Sequence, residues 1–139
     1  MRQNVSKVPL EQDEQMAFVR WCKLQKIIVH HSGNEIGGST RALKVRAIKM
    51  KKMGTSKGFP DLLIFIPVKG ATHRVDSYQP MAIEMKRVKG STTSPEQKEW
   101  LKILNLAGIP CFIAKGANDA IKKVNQVKEE MENGCLTLD

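Results

Sequence analysis

The chain has 139 residues, 41% hydrophobic and 27% charged, with a formal net charge of +9. That length suits one folded, soluble domain spanning 1–139 with loose ends at 1–9 and 135–139, and the positive surplus points to a polyanionic partner. No apolar run is long enough to span a membrane, Met1 to Leu10 lacks a signal-peptide core, and three cysteines without metal-ligand spacing suit reduced thiols in the cytoplasm.

In chain order, Leu10 to Leu24 reads as a helix. Met16, Val19 and Leu24 form a partial apolar stripe with Phe18 and Trp21 adding bulk. Glu11, Asp13 and Glu14 in its first turn complement the positive end of the helix dipole. Lys26 to His31 is rich in β-branched residues and reads as a strand. Adjacent His30 and His31 point to opposite faces there, so they are not a two-histidine metal site but core or strand-end residues. The glycine-rich stretch Ser32 to Ser39 is a loop. Thr40 to Met53 follows as a helix with Leu43, Ala47 and Met50 at helical spacing, capped by Ser39 or Thr40 and stopped at Gly54.

Phe59 to Pro67 and Tyr78 to Val88 read as two antiparallel strands, joined by an enlarged hairpin loop from Val68 to Ser77. Ser94-Pro95-Glu96-Gln97 opens a helix that runs to Ala107: serine suits the N-cap, proline the first helical position, and glutamine the third position of a capping box. Ile109 to Ala114 is a short apolar strand, and Asn118 to Met131 a last helix ended by Asn133-Gly134. The order α-β-α-β-β-α-β-α, with one hairpin and one crossover helix, describes an α/β fold: a mixed sheet of about four strands flanked by helices.

Two of those strands carry carboxylates inside apolar runs, where a charge is costly without a partner. Asp61 follows Gly58-Phe59-Pro60 and precedes Leu62 to Ile66, while Glu84 lies in Met81-Ala82-Ile83-Glu84-Met85-Lys86. Alternation along a strand puts Glu84 and Lys86 on one face. Two carboxylates and a lysine converging on one spot can hold a hard divalent cation and a water, a combination suited to phosphodiester hydrolysis.

Gly-x-Pro-Asp, then Glu-x-Lys, then a helix with Gln97 near its start resembles the VRR-NUC domain, the virus-type replication-repair branch of the PD-(D/E)XK nuclease superfamily. The resemblance covers nearly the whole chain, whose shortness resembles the stand-alone form of phages, and it implies a restriction-endonuclease-like fold. It implies further that Asp61 and Glu84 ligate Mg2+, replaceable by Mn2+, with the Met85 carbonyl completing the shell. Lys86 then orients or activates water, and Gln97 faces the site to fix water or Lys86, against the competing reading of Gln97 as a cap alone. The first helix supplies one more acid, Glu14, with Glu11 as the alternative. The implied activity is metal-dependent endonuclease action on branched DNA such as four-way junctions, leaving 5′-phosphates, by a homodimer with no organic cofactor and no membrane partner.

No acid occurs from Ile36 to Pro60, while Arg41, Lys44, Arg46, Lys49, Lys51, Lys52 and Lys57 all do. That unbalanced run suits phosphate contact. Within it Lys57 is best placed to reach a phosphate near the metal, and Asn34 with its glycines shapes a backbone-contacting loop. The exposed apolar part of the central helix and the hairpin loop are candidate dimer surfaces. A DNA-binding module without catalysis is the rival reading, and a nuclease on RNA, single strands or linear ends is a third.

Overall fold

Periodicity and caps place the elements close to those expectations. The computed structural model describes residues 7–33 and 40–134. Asn34 and the terminal stretches 1–6 and 135–139 lie outside the described residues. The elements are α1 (Glu11–Leu24), β1 (Ile28–His31), α2 (Arg41–Lys52), β2 (Leu62–Lys69), β3 (Val75–Lys86), α3 (Pro95–Leu106), β4 (Cys111–Lys115) and α4 (Ala117–Glu132). The four strands form one sheet in the order β1-β2-β3-β4. The first two pairings are antiparallel and the third, across the α3 crossover, is parallel.

The two faces of this sheet pack differently. Leu62, Ile64 and Ile66 of β2 and Met81, Ile83 and Met85 of β3 are fully buried in a large core with Phe18 and Cys22 of α1 and Ala120, Val124 and Val127 of α4. On the opposite face Ala82 and Cys111 meet Leu104 of α3, with Trp100, Leu101, Leu63 and Phe59 packed around them. Phe59 and Trp100 meet edge to face, ring centroids 5.0 Å apart. Cys22 and Cys111 are free thiols in these separate cores, and burial pushes each up to about 12, so they pack as small apolar groups.

The hairpin is where expectation and structure differ. Pairing continues from Leu62↔Ile83 out to Lys69↔Val75, with an irregularity at Val68/Lys69, so the loop shrinks to Gly70–Arg74. Main-chain bonds Gly70 N to Arg74 O (2.9 Å) and His73 N to Gly70 O (3.0 Å) close it. β-Branched Val68 and Val75 sit at positions that continue the ladder, and polar neighbours do not oppose pairing on a solvated ribbon. The result is a two-stranded arm, exposed over Val75–Tyr78, extending past the strands that β1 and β4 cover.

No residue of α2 is buried. Leu43, Ala47 and Met50 are half-buried, as their spacing predicts, and the Thr40 side chain accepts from Leu43 N at 3.3 Å.

Candidate active site

The β2–β3 register pairs Leu62 with Ile83, so Asp61, just before β2, stands opposite Glu84. Their carboxylates bond reciprocally to each other's strand. Glu84 Oε2 accepts from Asp61 N at 3.2 Å, and Asp61 Oδ2 accepts from Met85 N at 3.0 Å. Both residues are buried, Asp61 at 7% and Glu84 at 4% exposure, and Lys86 on the same face as Glu84 is 9% exposed. Lys86 Nζ lies 3.4 Å from Glu84 Oε1. Three ionisable side chains are thus held where the apolar face of the strand pair would otherwise continue.

Gln97 joins them from the first turn of α3. Its Nε2 donates to Glu84 Oε1 at 2.6 Å, while its Oε1 accepts from Lys86 Nζ at 3.1 Å and from Ser94 N at 3.0 Å. Ser94 Oγ in turn accepts from Gln97 N at 3.2 Å, completing the capping box. Cap and site were competing readings of this residue, and its side chain does both. The amide orientation follows from chemistry: turned over, it would point NH2 at two donors and its oxygen at a carboxylate.

Gly58 explains why the loop before Asp61 reaches this helix. Its φ is +84°, and a Cβ there would lie 2.6 Å from the Glu96 carbonyl carbon and 2.7 Å from Gln97 N. Only glycine permits that approach. Ser32 holds the other side of the loop, donating from Oγ to the Pro60 carbonyl (2.7 Å) and from its main chain to the Asp61 carbonyl (2.9 Å). Neither Gly58's packing nor Ser32's anchoring was read from the sequence; the glycine of Gly-x-Pro-Asp was the available signal. Lys57 is paired with Glu96 at 3.6 Å on the surface beside the α3 N-terminus.

The first helix places its acids differently from the expectation at Glu14. Glu14 Oε2 accepts from Ala117 N at 2.5 Å. It thereby caps α4, whose N-cap, Gly116, has no side chain to do so. Glu11, the alternative, lines a cleft of about 380 Å3 with Gln12, Gln15, Met16, His31 and Asp61. One helical turn separates the two acids, and the contact between α1 and α4 captures the later one. His31, expected at a strand end, opens onto the same cleft.

The electrostatics follow from this packing. Burial, and next the charge of Asp61, push Glu84 up to about 7, with Lys86 opposing. Two buried carboxylates against one ammonium leave a deficit of positive charge. Among the described residues no three His, Cys, Asp or Glu side chains gather as a metal-ion group. A pair of carboxylates nevertheless fits Mg2+, which is commonly held by one or two and keeps several waters. Arg41, Lys44, Lys49 and Lys52 are exposed along α2, apart from the buried cluster.

A mixed four-stranded sheet between helices, with two acids and a lysine gathered at its strand ends, is an α/β domain of the nuclease type. The sequence model of the VRR-NUC domain matches residues 2–118, and the chain belongs to that family, a nuclease-type DNA-processing module. The chain is similar to a solved structure described as a VRR_NUC domain protein, with 29% identity over 86% of this chain and 88% of that one, and a TM-score of 0.62. No curated protein matches it. Among the described residues no helix is long and apolar enough to cross a membrane.

Proposed function

We propose that this domain is a metal-dependent, structure-specific DNA endonuclease of the PD-(D/E)XK type. The observation that carries the proposal is the buried Asp61–Glu84–Lys86 cluster, tied together by Gln97. A purely binding surface for a polyanion gains nothing from two desolvated carboxylates, which repel phosphate unless a cation intervenes. Asp61, Glu84 and the Met85 carbonyl are the proposed Mg2+ ligands, with Mn2+ as substitute and Glu11, which lines the same cleft as Asp61, as the acid of α1. A divalent cation there supplies Lewis acidity and lowers the pKa of a water.

The remaining chemistry belongs to the chain. Lys86, held by Gln97 and Glu84, presents a fixed positive charge that orients the attacking water and stabilises charge growing on the phosphate. Gln97 keeps that ammonium in place and holds one oxygen of Glu84. In-line attack expels the 3′ oxygen and leaves a 5′-phosphate.

Branched DNA is the proposed substrate and a homodimer the proposed assembly. A symmetric four-way junction needs two related cuts, which a two-fold dimer delivers. The outward side of α2 combines Val45 and Ile48, each 59% exposed, with Arg41, Lys44 and Lys52. Packing two copies of that face together would juxtapose like charges, so we assign it to DNA. The pairing surface is then assigned to the arm, where Val75 and Tyr78 are exposed.

The test is cleavage of a labelled four-way junction beside a linear duplex of the same sequence, in Mg2+, Mn2+ or EDTA. Paired cuts on the junction alone, abolished by EDTA, are expected. Equal cutting of both substrates would remove the junction preference and keep the nuclease. Binding without cleavage in either metal would leave a DNA-binding module.

A further inference from the structure

The cleft beside Asp61 does not end there. A second cavity of about 410 Å3 is lined by Gln15, Met16, Val19, Arg20, Lys23 and His31. Gln15, Met16 and His31 also line the first cavity, so the two form one trough along α1. The trough has a polarity. At one end stand the Glu11 and Asp61 carboxylates, and at the other the exposed cations Arg20 and Lys23. Neither cation is in an ion pair among the described residues. Between them the walls offer two side-chain amides, an imidazole and the thioether of Met16, which is 50% exposed.

This sequence of groups matches one strand of a nucleic acid leaving the reacting phosphate. Phosphodiester chemistry at Asp61 puts one phosphate at the acidic end, where a cation offsets its charge. The strand must continue from that phosphate along a surface offering hydrogen bonds and soft apolar contact to sugar and base, then positive charge to a later phosphate. α1 provides those contacts in that order. It is also a rigid wall, because Phe18 and Cys22 on its other side are fully buried against the sheet.

We infer that the trough between α1 and His31 binds the DNA strand on one side of the scissile phosphate. Arg20 and Lys23 take a backbone phosphate, and Gln15 and His31 line the nucleotide between it and Asp61. This assignment rests on the nuclease reading above. It adds a contact surface distinct from the basic helix α2.

The test compares Arg20→Ala/Lys23→Ala with a control, Lys102→Ala/Lys122→Ala, which removes the same charge from exposed positions on α3 and α4. Binding of the fluorescein-labelled junction and of the linear duplex is measured by anisotropy in EDTA over a salt series. The trough variant is expected to bind about tenfold more weakly, with the slope of log K against log salt reduced by about one, and the control to change less than the trough variant in both. In Mg2+, single neutral methylphosphonates are then walked along the cut strand. One position a short distance to one side of the cut should slow the parent protein and have no further effect on the trough variant.

Equal weakening by trough and control variants would overturn the inference, as would a methylphosphonate profile identical in parent and trough variant. If the parent cuts neither DNA, the nuclease reading fails separately. The anisotropy comparison then still decides whether the trough contacts the strand.

Discussion

The two faces of one sheet differ in what their burial is for. Toward α1 and α4 the central strands β2 and β3 bury apolar side chains, Met81, Ile83 and Met85 of β3 among them, while His31 of β1 opens into the cleft along α1. Toward α3 strand β3 alternates Ala82, Glu84 and Lys86. The apolar core on that side is small and lies under the later turns of α3, through Trp100, Leu101 and Leu104. This leaves the first turn of α3 to deliver Gln97 to the ionised cluster. One face of β3 therefore holds the fold together, and the other carries the buried charged cluster.

Changing adjacent strand positions should separate these roles. Asp61→Asn keeps an acceptor for Met85 N and removes a buried like charge. Cleavage should fall about a thousandfold, while Tm without divalent ions stays at or above that of the parent and DNA affinity is kept or increased. Ile83→Ala, one position before Glu84 and facing the large core, should instead cost about 2–5 kcal/mol of stability by denaturant unfolding. The molecules that remain folded should cleave at close to the parent rate. If Ile83→Ala lost activity without losing stability, the division between the faces would collapse.

Gln97→Glu sharpens the comparison within α3. Glutamate satisfies a capping box as well as glutamine does, but a carboxylate facing buried Glu84 replaces its donor with a like charge, so Tm without divalent ions should fall. Cleavage should drop about a hundredfold. Single-turnover kinetics read this directly, and full activity in Gln97→Glu would reduce the residue to its cap.

Gly58→Ala tests the contact between loop and helix. A methyl group at positive φ and against the α3 backbone should cost about 2 kcal/mol or more, with activity falling further than stability explains as Gln97 is pushed from Glu84. Thermal unfolding and cleavage of the folded fraction, measured together, separate the two losses.

The smallest effect is on pH dependence. Because Glu84 is raised from its ordinary 4.5 to about 7, the folded state keeps a proton that the unfolded state releases across that window. This group therefore makes the metal-free protein less stable as pH rises from about 4.5 to about 7. Mg2+ binding to the ionised pair should offset the loss, raising Tm by about 3 °C more at pH 8 than at pH 5. Removing the titrating carboxylate with Glu84→Gln should flatten both trends. An equal Mg2+ effect at the two pH values would contradict the placement of the ion between these carboxylates.

Much of this arrangement was legible locally. Ser94-Pro95-x-Gln97 marks the start of α3, because capping is settled within one turn. Asp61 and Glu84 stand out because carboxylates rarely interrupt strand-like apolar runs without a partner. The short hairpin loop escaped notice because a solvated two-stranded ribbon leaves no alternation of burial to read: Val75, Asp76, Ser77 and Tyr78 are all exposed. The choice of Glu14 over Glu11 rests on the family resemblance alone, since both suit the first turn of a helix whatever packs against it.

The sequence by itself determined the order of elements, the strand ends that carry charge and the family, since these follow from residue type and spacing over short stretches. Tertiary structure alone decided that Glu11 lines the cleft with Asp61 while Glu14 caps the N-terminus of α4. It also decided that the amide of Gln97 serves helix and site together, and that Gly58 lies against α3. Each of these depends on backbone groups distant in sequence meeting within hydrogen-bond or van der Waals reach. That proximity is set by how the helices dock on the two faces of the sheet, which local residue patterns do not encode.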